Sequence, residues 1–268
     1  MLVCTLGDLL LDVIVRLDTR LASGDDAVAE TTLAPGGQAA NVAAWVTALG
    51  ASARVVAVQA EDDAGAIVGR ELANRGVDVC GPLGGRTGVV VSLVQPDGDR
   101  TMASDRGSAA DLLAEDMDDG WHECDALHLS GYSLLGGPIT GAAQRAAEFA
   151  HEQGARVSVD LSSWTHVRRL GSSMREALAE VKPHVVFGNE REWDAIGEVA
   201  TAMRVVKRGP RGIVVDGEER AAVPVTAVDS TGAGDALAAG FIVGGTDLAL
   251  ETAARCVAQI GAMPPLNP

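Results

Sequence analysis

The stretch Val228-Asp229-Ser230-Thr231-Gly232-Ala233-Gly234-Asp235 links two apolar segments of different character. Before it, Val223 to Val228 is short and rich in β-branched residues, which predicts a strand, and after it Ala236 to Val243 predicts a buried helix. The turn between them has little side-chain bulk. It therefore leaves backbone N–H groups bare at a helix N-terminus, where unpaired donors and the helix dipole attract an anion. Asp235 falls in the first helical turn, where a carboxylate beside a phosphate makes sense only as a proton acceptor. The stretch thus suggests phosphoryl transfer to a hydroxyl group.

A helix-capping turn is the alternative interpretation of the same residues, because an Asp-Ser-Thr triplet caps helices well and glycines suit tight turns. The complete run of an Asp, two hydroxyl residues, Gly-Ala-Gly and a second Asp is much rarer by chance. It resembles the C-terminal signature of the ribokinase family of carbohydrate kinases, also called the phosphofructokinase-B family. The resemblance implies that Asp235 is the catalytic base. It also implies that the backbone amides of Gly232, Ala233 and Gly234 form the anion hole and that Thr231 contacts the nucleotide.

A second glycine motif lies near the N-terminus, at Pro35-Gly36-Gly37-Gln38-Ala39-Ala40-Asn41. The Pro-Gly-Gly turn predicts the start of a helix that Gly50 closes. The two glycines let a ligand approach the backbone closely, and an Asn that both donates and accepts suits sugar hydroxyls. The pattern G-G-x-x-x-N-x-A, followed by L-G, resembles the N-terminal signature of the same family. The resemblance implies a sugar site made by Asp12, Gly36, Gly37 and Asn41. Taken alone, Asp12 also fits a turn carboxylate and Asn41 a surface amide.

Asn189 and Glu192 match the N-x-x-E motif of the family. The match implies that they organise Mg²⁺, mostly through water, together with the phosphates. A hard cation bound by one or two carboxylates and substrate phosphates is the usual mode for Mg²⁺. The same spacing is the signature of a helix capping box, and both interpretations can hold together.

The segment from Lys207 to Gly212 resembles the family's K-x-G-x-x-G element beside the nucleotide, which implies nucleotide contacts at Lys207, Gly209 and Gly212. Cations in exposed turns are otherwise usually only solvated. The resemblance also implies a monovalent cation, K⁺ in particular, near Asp229, as in many members of the family.

Strands alternate with helices along the chain, which predicts a mostly parallel sheet covered on both faces. The resemblance makes this a ribokinase-like, three-layer α/β/α fold with a small β-sheet lid. We expect the main domain to comprise residues 1–12, 34–86 and 106–268, and the lid to comprise residues 13–33 and 87–105. Within the lid, Val89 to Val94 and Arg100 to Ser104 are expected to form a hairpin around a turn at Pro96 to Asp99. In the family such a lid covers the sugar and is often a dimer contact, which implies a homodimer.

Composition limits the classes of function. A chain of 268 residues with 47% apolar residues is long enough for one large α/β domain. Its net charge of −16 argues against nucleic-acid binding, because nothing in the chain could neutralise a run of phosphates. A polyanionic ligand must therefore be held by a local site or with a metal.

Four widely spaced cysteines without a C-x-x-C pair indicate free thiols and a reducing, cytoplasmic location. The N-terminus lacks the basic and apolar regions of a signal peptide. No apolar run reaches the roughly 20 residues that a membrane helix needs, so we expect no membrane association.

These observations predict an ATP-dependent sugar kinase, with ATP and Mg²⁺ as cofactors and a small sugar as partner. A nucleoside kinase with an adenosine-like acceptor is the first alternative. A kinase-shaped protein that binds a metabolite without turnover is the second, although such a binder would have no need of Asp235. A Rossmann dehydrogenase and a P-loop kinase lack support, because neither G-x-G-x-x-G after the first strand nor G-x-x-x-x-G-K-[ST] occurs.

Overall fold

Thirteen strands form two sheets in a computed structural model of the chain, whose described residues are 1–96 and 100–266. Short apolar, β-branched runs account for most of them, as expected for buried strands. In chain order they are β1 (Leu2–Leu6), β2 (Leu10–Leu17), β3 (Ala29–Gly36), β4 (Ser52–Val56), β5 (Val77–Cys80), β6 (Gly88–Val94), β7 (Arg100–Asp105), β8 (Ala126–Ser130), β9 (Arg156–Asp160), β10 (Val185–Asn189), β11 (Met203–Lys207), β12 (Ile213–Val215) and β13 (Glu218–Arg220).

The large sheet has the strand order β13-β12-β11-β10-β9-β8-β1-β4-β5. The seven strands from β11 to β5 in this order are parallel, and β12 and β13 join antiparallel at one edge. The prediction of a mostly parallel sheet is therefore confirmed. Because parallel strands end at the same side, their carboxyl ends bring together residues that are far apart in sequence.

Seven α-helices in the described residues cover the large sheet. They are α1 (Gln38–Ala48), α2 (Asp63–Asn74), α3 (Pro138–Glu152), α4 (Trp164–Leu170), α5 (Ser172–Val181), α6 (Glu190–Ile196) and α7 (Ala233–Val257). One buried cluster joins α1, α2 and α7 to one face of the sheet, and a second joins α3, α4, α5 and α6 to the other. The protein thus has the three-layer α/β/α architecture that the sequence predicts.

The small sheet has the order β3-β2-β6-β7. Its β2 and β6 are parallel, whereas β2–β3 and β6–β7 pair antiparallel. The expected hairpin is the β6–β7 pair, although residues 97–99 of its turn lie outside the described residues. Asp12 lies within β2, which begins at Leu10. The exact division into main domain and lid remains a prediction.

The strand predicted for Val223 to Val228 is wrong. Residues 221–230 have no strand structure and are mostly exposed. Pro224 interrupts the run, and a proline has no N–H for a strand ladder and is restricted to edges and bulges. The β-branched residues nevertheless contribute to a cleft wall described below.

Helix α7 contains the predicted segment Ala236 to Val243 and continues to Val257, with non-helical dihedral angles at Gly245. Of the described helices it alone is long and apolar enough, by length and composition, to span a membrane. Its first turns are buried against α1, however, as expected for the core helix of a globular fold.

Candidate active site

The turn before α7 leaves no room for a side chain at Gly232 and little room for one at Gly234. Gly232 is the N-cap of the helix and has a φ of 73°, in the left-handed region that favours glycine. A Cβ atom at this position would lie 2.6 Å from the Cα of Ala262. At Gly234 a Cβ would lie 3.2 Å from the Nζ of Lys207. The turn thus keeps side-chain bulk away from its backbone beside a lysine ammonium, and within it the Ala233 amide donates a long hydrogen bond of 3.3 Å to the Ser230 carbonyl.

Asp229 holds this turn in place. Its Oδ1 accepts hydrogen bonds from the Thr231 amide at 2.9 Å and from the Thr231 hydroxyl at 2.5 Å. Its Oδ2 accepts a hydrogen bond from the Gly261 amide at 3.0 Å, which ties the turn to the C-terminal segment. These contacts are typical of a side chain that caps a turn. The role of Asp229 in binding a monovalent cation remains a prediction.

Asp235 is buried in the first turn of α7, with 6% of its surface exposed. The Nδ2 of Asn41 donates a hydrogen bond of 2.7 Å to its Oδ2. The pKa of Asp235 is raised to about 7, mainly by burial and also by the carboxylate of Asp160, whereas the hydrogen bond from Asn41 lowers it. The group can therefore gain and lose a proton near neutral pH, which suits a general base.

The second glycine motif brings Asn41 to Asp235 from α1. Gly37 is the N-cap of α1 with a φ of 95°, and a Cβ there would lie 2.1 Å from the carbonyl oxygen of Asp8. A Cβ at Gly36 would lie 2.1 Å from Oδ1 of Asp12. The Oδ1 of Asn41 is buried and accepts no hydrogen bond within the described part of the chain. An orphaned buried acceptor beside a carboxylate is where a hydroxyl donor from a ligand would be satisfied.

Lys207 lies in a buried ion pair that the sequence did not predict. Its Nζ donates to both carboxylate oxygens of Asp160, at 2.6 and 2.9 Å, and only 2% of the Asp160 side chain is exposed. Burial alone would lower the pKa of Lys207, but the carboxylates of Asp160 and Glu192 outweigh it, so the net shift is upward. The ammonium thus stays charged next to Gly234.

Asn189 and Glu192 form the predicted capping box at the start of α6. The Glu192 amide donates to Oδ1 of Asn189 at 2.9 Å, and Oε2 of Glu192 accepts from the Asn189 amide at 2.7 Å. Asn189 is the register partner of Lys207 in the next strand, so this box adjoins the ion pair. Burial raises the pKa of Glu192. Among the described residues, no group of three or more His, Cys, Asp or Glu side chains is arranged to hold a metal ion.

Gln38 is a further residue that the sequence analysis missed, although it lies inside the second glycine motif. Its Oε1 accepts a hydrogen bond of 2.6 Å from the Ser130 hydroxyl and another from the Ser162 hydroxyl. Its side-chain amide also lowers the pKa of the Asp235 carboxyl. Ser162 has a φ of 68°, a left-handed conformation that is unusual for a residue other than glycine and that clusters at functional sites.

Asp8 and Arg106 make a second ion pair nearby. The guanidinium of Arg106 donates to both oxygens of Asp8, at 2.7 and 2.5 Å, and to the carbonyl oxygen of Tyr132 at 3.3 Å. Only the position of Asp8, just after β1, could have indicated this pair from the sequence, because strand ends carry ligand-binding residues in such folds.

Two clefts adjoin these residues. The first, which we call the α7 cleft, has a volume of about 490 Å³ and a mainly apolar wall from residues 222–225, Ala227 and α7. It contains the predicted nucleotide residues Lys207, Gly209 and Gly212 together with Gly234. The second, the small-sheet cleft, has a volume of about 350 Å³ and lies between one face of the small sheet and residues 259–265. It contains Asp12, Asp229 and Thr231, so Thr231 lies apart from the other predicted nucleotide residues.

A sequence model of the pfkB family of carbohydrate kinases matches residues 1–263, and the chain belongs to this family. It is 34% identical over 270 residues to an ATP-dependent ribose-1-phosphate kinase of Halopiger xanaduensis, covering 91% of this chain and 86% of that one. It is 30% identical to a fructokinase of Escherichia coli, covering 96% and 89%. The crystal structure of adenosine kinase from Sinorhizobium meliloti is similar with a TM-score of 0.85 at 27% identity, over 98% of this chain and 95% of that one.

The fold is shared further with a putative ribokinase II from E. coli, solved in complex with ATP and Mg²⁺, at a TM-score of 0.81 and 24% identity, over 97% and 94% of the two chains. The predicted resemblance to the ribokinase family is thus confirmed. The protein is a phosphotransferase with a hydroxyl group as acceptor, of the sugar-kinase family.

Proposed function

We propose that the protein transfers the γ-phosphate of ATP to a hydroxyl of a small sugar, with Asp235 as the base. One observation carries the proposal: a buried carboxylate with a pKa of about 7 lies in the first turn of α7, directly after a glycine turn that has no side-chain cap. Retention of this group argues against a binding protein without turnover. An assay of ADP release with a sugar panel tests the proposal, and the absence of release with every sugar would contradict it.

In this mechanism the acceptor oxygen bonds to the γ-phosphorus, the bond from that phosphorus to the ADP oxygen breaks, and the hydroxyl proton passes to Asp235. The pKa of an alcohol is far too high for a carboxylate to deprotonate it in advance. Asp235 therefore acts late, as the new bond forms, and positions the hydroxyl until then. The amides of Gly232, Ala233 and Gly234 stabilise charge on the transferring group. The Ala233 amide exchanges its long hydrogen bond of 3.3 Å to the Ser230 carbonyl for this contact.

The α7 cleft is the proposed nucleotide site, because its apolar wall suits a base and its lining also includes Lys207 and Gly234. Asn189 and Glu192 would hold Mg²⁺, mostly through water, beside Lys207. When bound, Mg²⁺ neutralises charge on phosphate oxygens. A monovalent cation at Asp229 remains part of the proposal, and identical rates in K⁺ and in a bulky organic cation would remove it.

On the acceptor side, the proposal places the sugar between Asp12, the Gly36-Gly37 backbone and Asn41. The unsatisfied Oδ1 of Asn41 supports this placement, because a sugar hydroxyl can donate to it while Nδ2 stays on Asp235. The adenosine kinase similarity does not favour a nucleoside over a sugar, since the curated relatives include kinases of ribose 1-phosphate and fructose.

We also propose a cytoplasmic homodimer that pairs through the small sheet. Exposed apolar side chains on or beside this sheet support it, since Val28, Leu33 and Met102 are 73%, 50% and 54% exposed. Light scattering across a dilution series would test the oligomeric state.

The rate is expected to fall in acid because Asp235 must be ionised to accept a proton. Its pKa is raised to about 7, so kcat/KM for the acceptor should drop about tenfold per pH unit below about pH 7 and level off above it. The measurement is kcat/KM from about pH 5.5 to about pH 9, with preincubation at each pH to control for denaturation. A flat profile below neutrality would contradict the assignment.

The Glu192→Gln variant is expected to need more Mg²⁺ for half-maximal rate. Glutamine keeps the capping box, which accepts either Glu or Gln at this position, but it removes the charge that would hold the cation. Asp194→Asn, an exposed position on the same helix, serves as the matched control. Lowered thermal stability with an unchanged Mg²⁺ dependence would show that Glu192 acts only as a helix cap.

A further inference from the structure

Gln38 begins α1 and faces two serine hydroxyls. Its Oε1 accepts a hydrogen bond of 2.6 Å from Ser130 and another from Ser162. Because both hydroxyls are on the amide oxygen, the amide nitrogen points the other way and is available as a donor. We propose that Gln38 is a positioning residue, whose amide nitrogen holds the Asp235 carboxylate in the orientation that receives the proton of the acceptor. This inference rests on the proposed function and adds a residue to its mechanism.

The geometry of α1 places the Gln38 amide on the side of Asp235. Gln38 and Asn41 are residues i and i+3 of the helix, so their side chains lie on one face. Asn41 donates from Nδ2 to Oδ2 of Asp235 at 2.7 Å, so this face meets the carboxylate. The reverse orientation of the Gln38 amide would point its oxygen at the carboxylate, and two acceptors repel each other. Two amides from one helix therefore face the carboxylate and limit its rotation.

Ser162 supports Gln38 from a strained backbone conformation. Its φ of 68° lies in the left-handed region, which costs free energy in most residues other than glycine. Its hydroxyl proton has two acceptors in reach, Gln38 and, at 2.9 Å, the carbonyl oxygen of Asp160, and Gln38 is the nearer. The same hydroxyl accepts from the Gly131 amide at 3.0 Å. A glycine would adopt this backbone without strain, so what the serine adds is the hydroxyl that holds Gln38.

The charged and titratable groups around Asp235 come from other elements, since α1 has no titratable side chain. Burial is the main cause of the raised pKa of Asp235, and Asp160 raises it further, whereas Lys207 and the Gln38 amide lower it. Burial raises the pKa of the Cys256 thiol in α7 to about 12, so the thiol stays uncharged near neutral pH. A neutral substitution of Gln38 leaves these other side chains unchanged and tests the amide by itself.

The Gln38→Met variant removes the amide and keeps the length of the side chain. Loss of a donor to a charged group should move the acidic limb of kcat/KM up by about one pH unit. The plateau of kcat above this limb should fall about tenfold, because a carboxylate that can rotate is less often aligned with the acceptor. KM for ATP should stay within about twofold of the wild type. Gln153→Met, at an exposed C-cap of α3, is the matched control and should leave the profile unchanged.

The Ser162→Gly variant tests the support of Gln38 without touching the amide. Relief of the strained backbone opposes the loss of the hydrogen bond from Gly131, so the melting temperature should change little. The plateau of kcat should nevertheless fall, by about three- to tenfold, since the Gln38 amide is held by one hydroxyl instead of two. This variant also keeps the inference testable if Gln38→Met does not fold.

An unmoved acidic limb or an unchanged plateau in Gln38→Met would overturn the inference, as would a plateau at the wild-type level in Ser162→Gly. If no acceptor is phosphorylated, the proposed function fails by itself. A carbon-13 NMR titration of the Asp235 carboxyl then decides the inference without turnover, with the resonance assigned by its absence in Asp235→Asn. The carboxyl should titrate about one pH unit higher in Gln38→Met than in the wild type, and equal titration would contradict the role of Gln38.

Discussion

The Asp235→Asn variant is expected to lose at least about 10²-fold in kcat while it binds ATP and sugar nearly as the wild type does. Asparagine keeps the shape of the side chain, and its carbonyl oxygen can still accept the hydrogen bond from Nδ2 of Asn41. It has no basicity with which to take the proton. Measurement of kcat, KM and the affinity for ATP on the same preparation separates loss of chemistry from loss of binding.

Thermal stability adds a second check on this variant. The pKa of Asp235 is raised from 3.8 to about 7 in the folded chain, so this group lowers the stability of the fold as pH rises from about 4 to about 7, and its effect is constant above that. A neutral amide avoids that loss, and the variant should melt no lower than the wild type at alkaline pH. Asp247→Asn, an exposed position on the same helix, controls for the substitution itself. Near-normal turnover by Asp235→Asn would remove Asp235 from the mechanism.

The two glycine motifs could be predicted from sequence because their backbone geometry is a local property. Gly232 and Gly37 both have positive φ, and at both positions the backbone of another segment leaves no room for a Cβ. Each motif sits at the start of a helix, so the contact between Asn41 and Asp235 follows once α1 and α7 pack side by side. The sequence indicated Asn41 and Asp235 as separate site residues but not that they contact each other.

Other features depend on tertiary structure that local patterns do not encode. The ion pair of Asp160 and Lys207 joins two strands that are separated by a third in the sheet, and its burial is set by the helices that cover them. The shift in the pKa of Asp235 likewise results mainly from burial. A local sequence pattern does not indicate how deeply a particular carboxylate is buried. The strand wrongly predicted for Val223 to Val228 shows that a local pattern can also mislead. Its β-branched residues favour a strand, but the segment contains a proline and is mostly exposed.

The Lys207→Met variant is expected to lose both stability and rate. Removing the ammonium leaves Asp160 buried without its partner, which costs about 3–5 kcal/mol in comparable cases and would lower the melting temperature by roughly 10 °C. Lys207 also lowers the pKa of Asp235, so its removal should move the acidic limb of the rate profile to higher pH. Lys182→Met, at the only other lysine and an exposed position, is the matched control.

A double variant separates the two roles of Lys207. Adding Asp160→Asn to Lys207→Met removes the unpaired buried charge, so most of the lost stability should return. The rate should not return, because the cation beside Gly234 is still missing, and losing one prealigned charge-stabilising group costs about 10²–10³-fold in kcat. If the double variant regained both stability and rate, Lys207 would serve only to neutralise Asp160. Recovery of stability alone would place its positive charge at the transferring phosphoryl group.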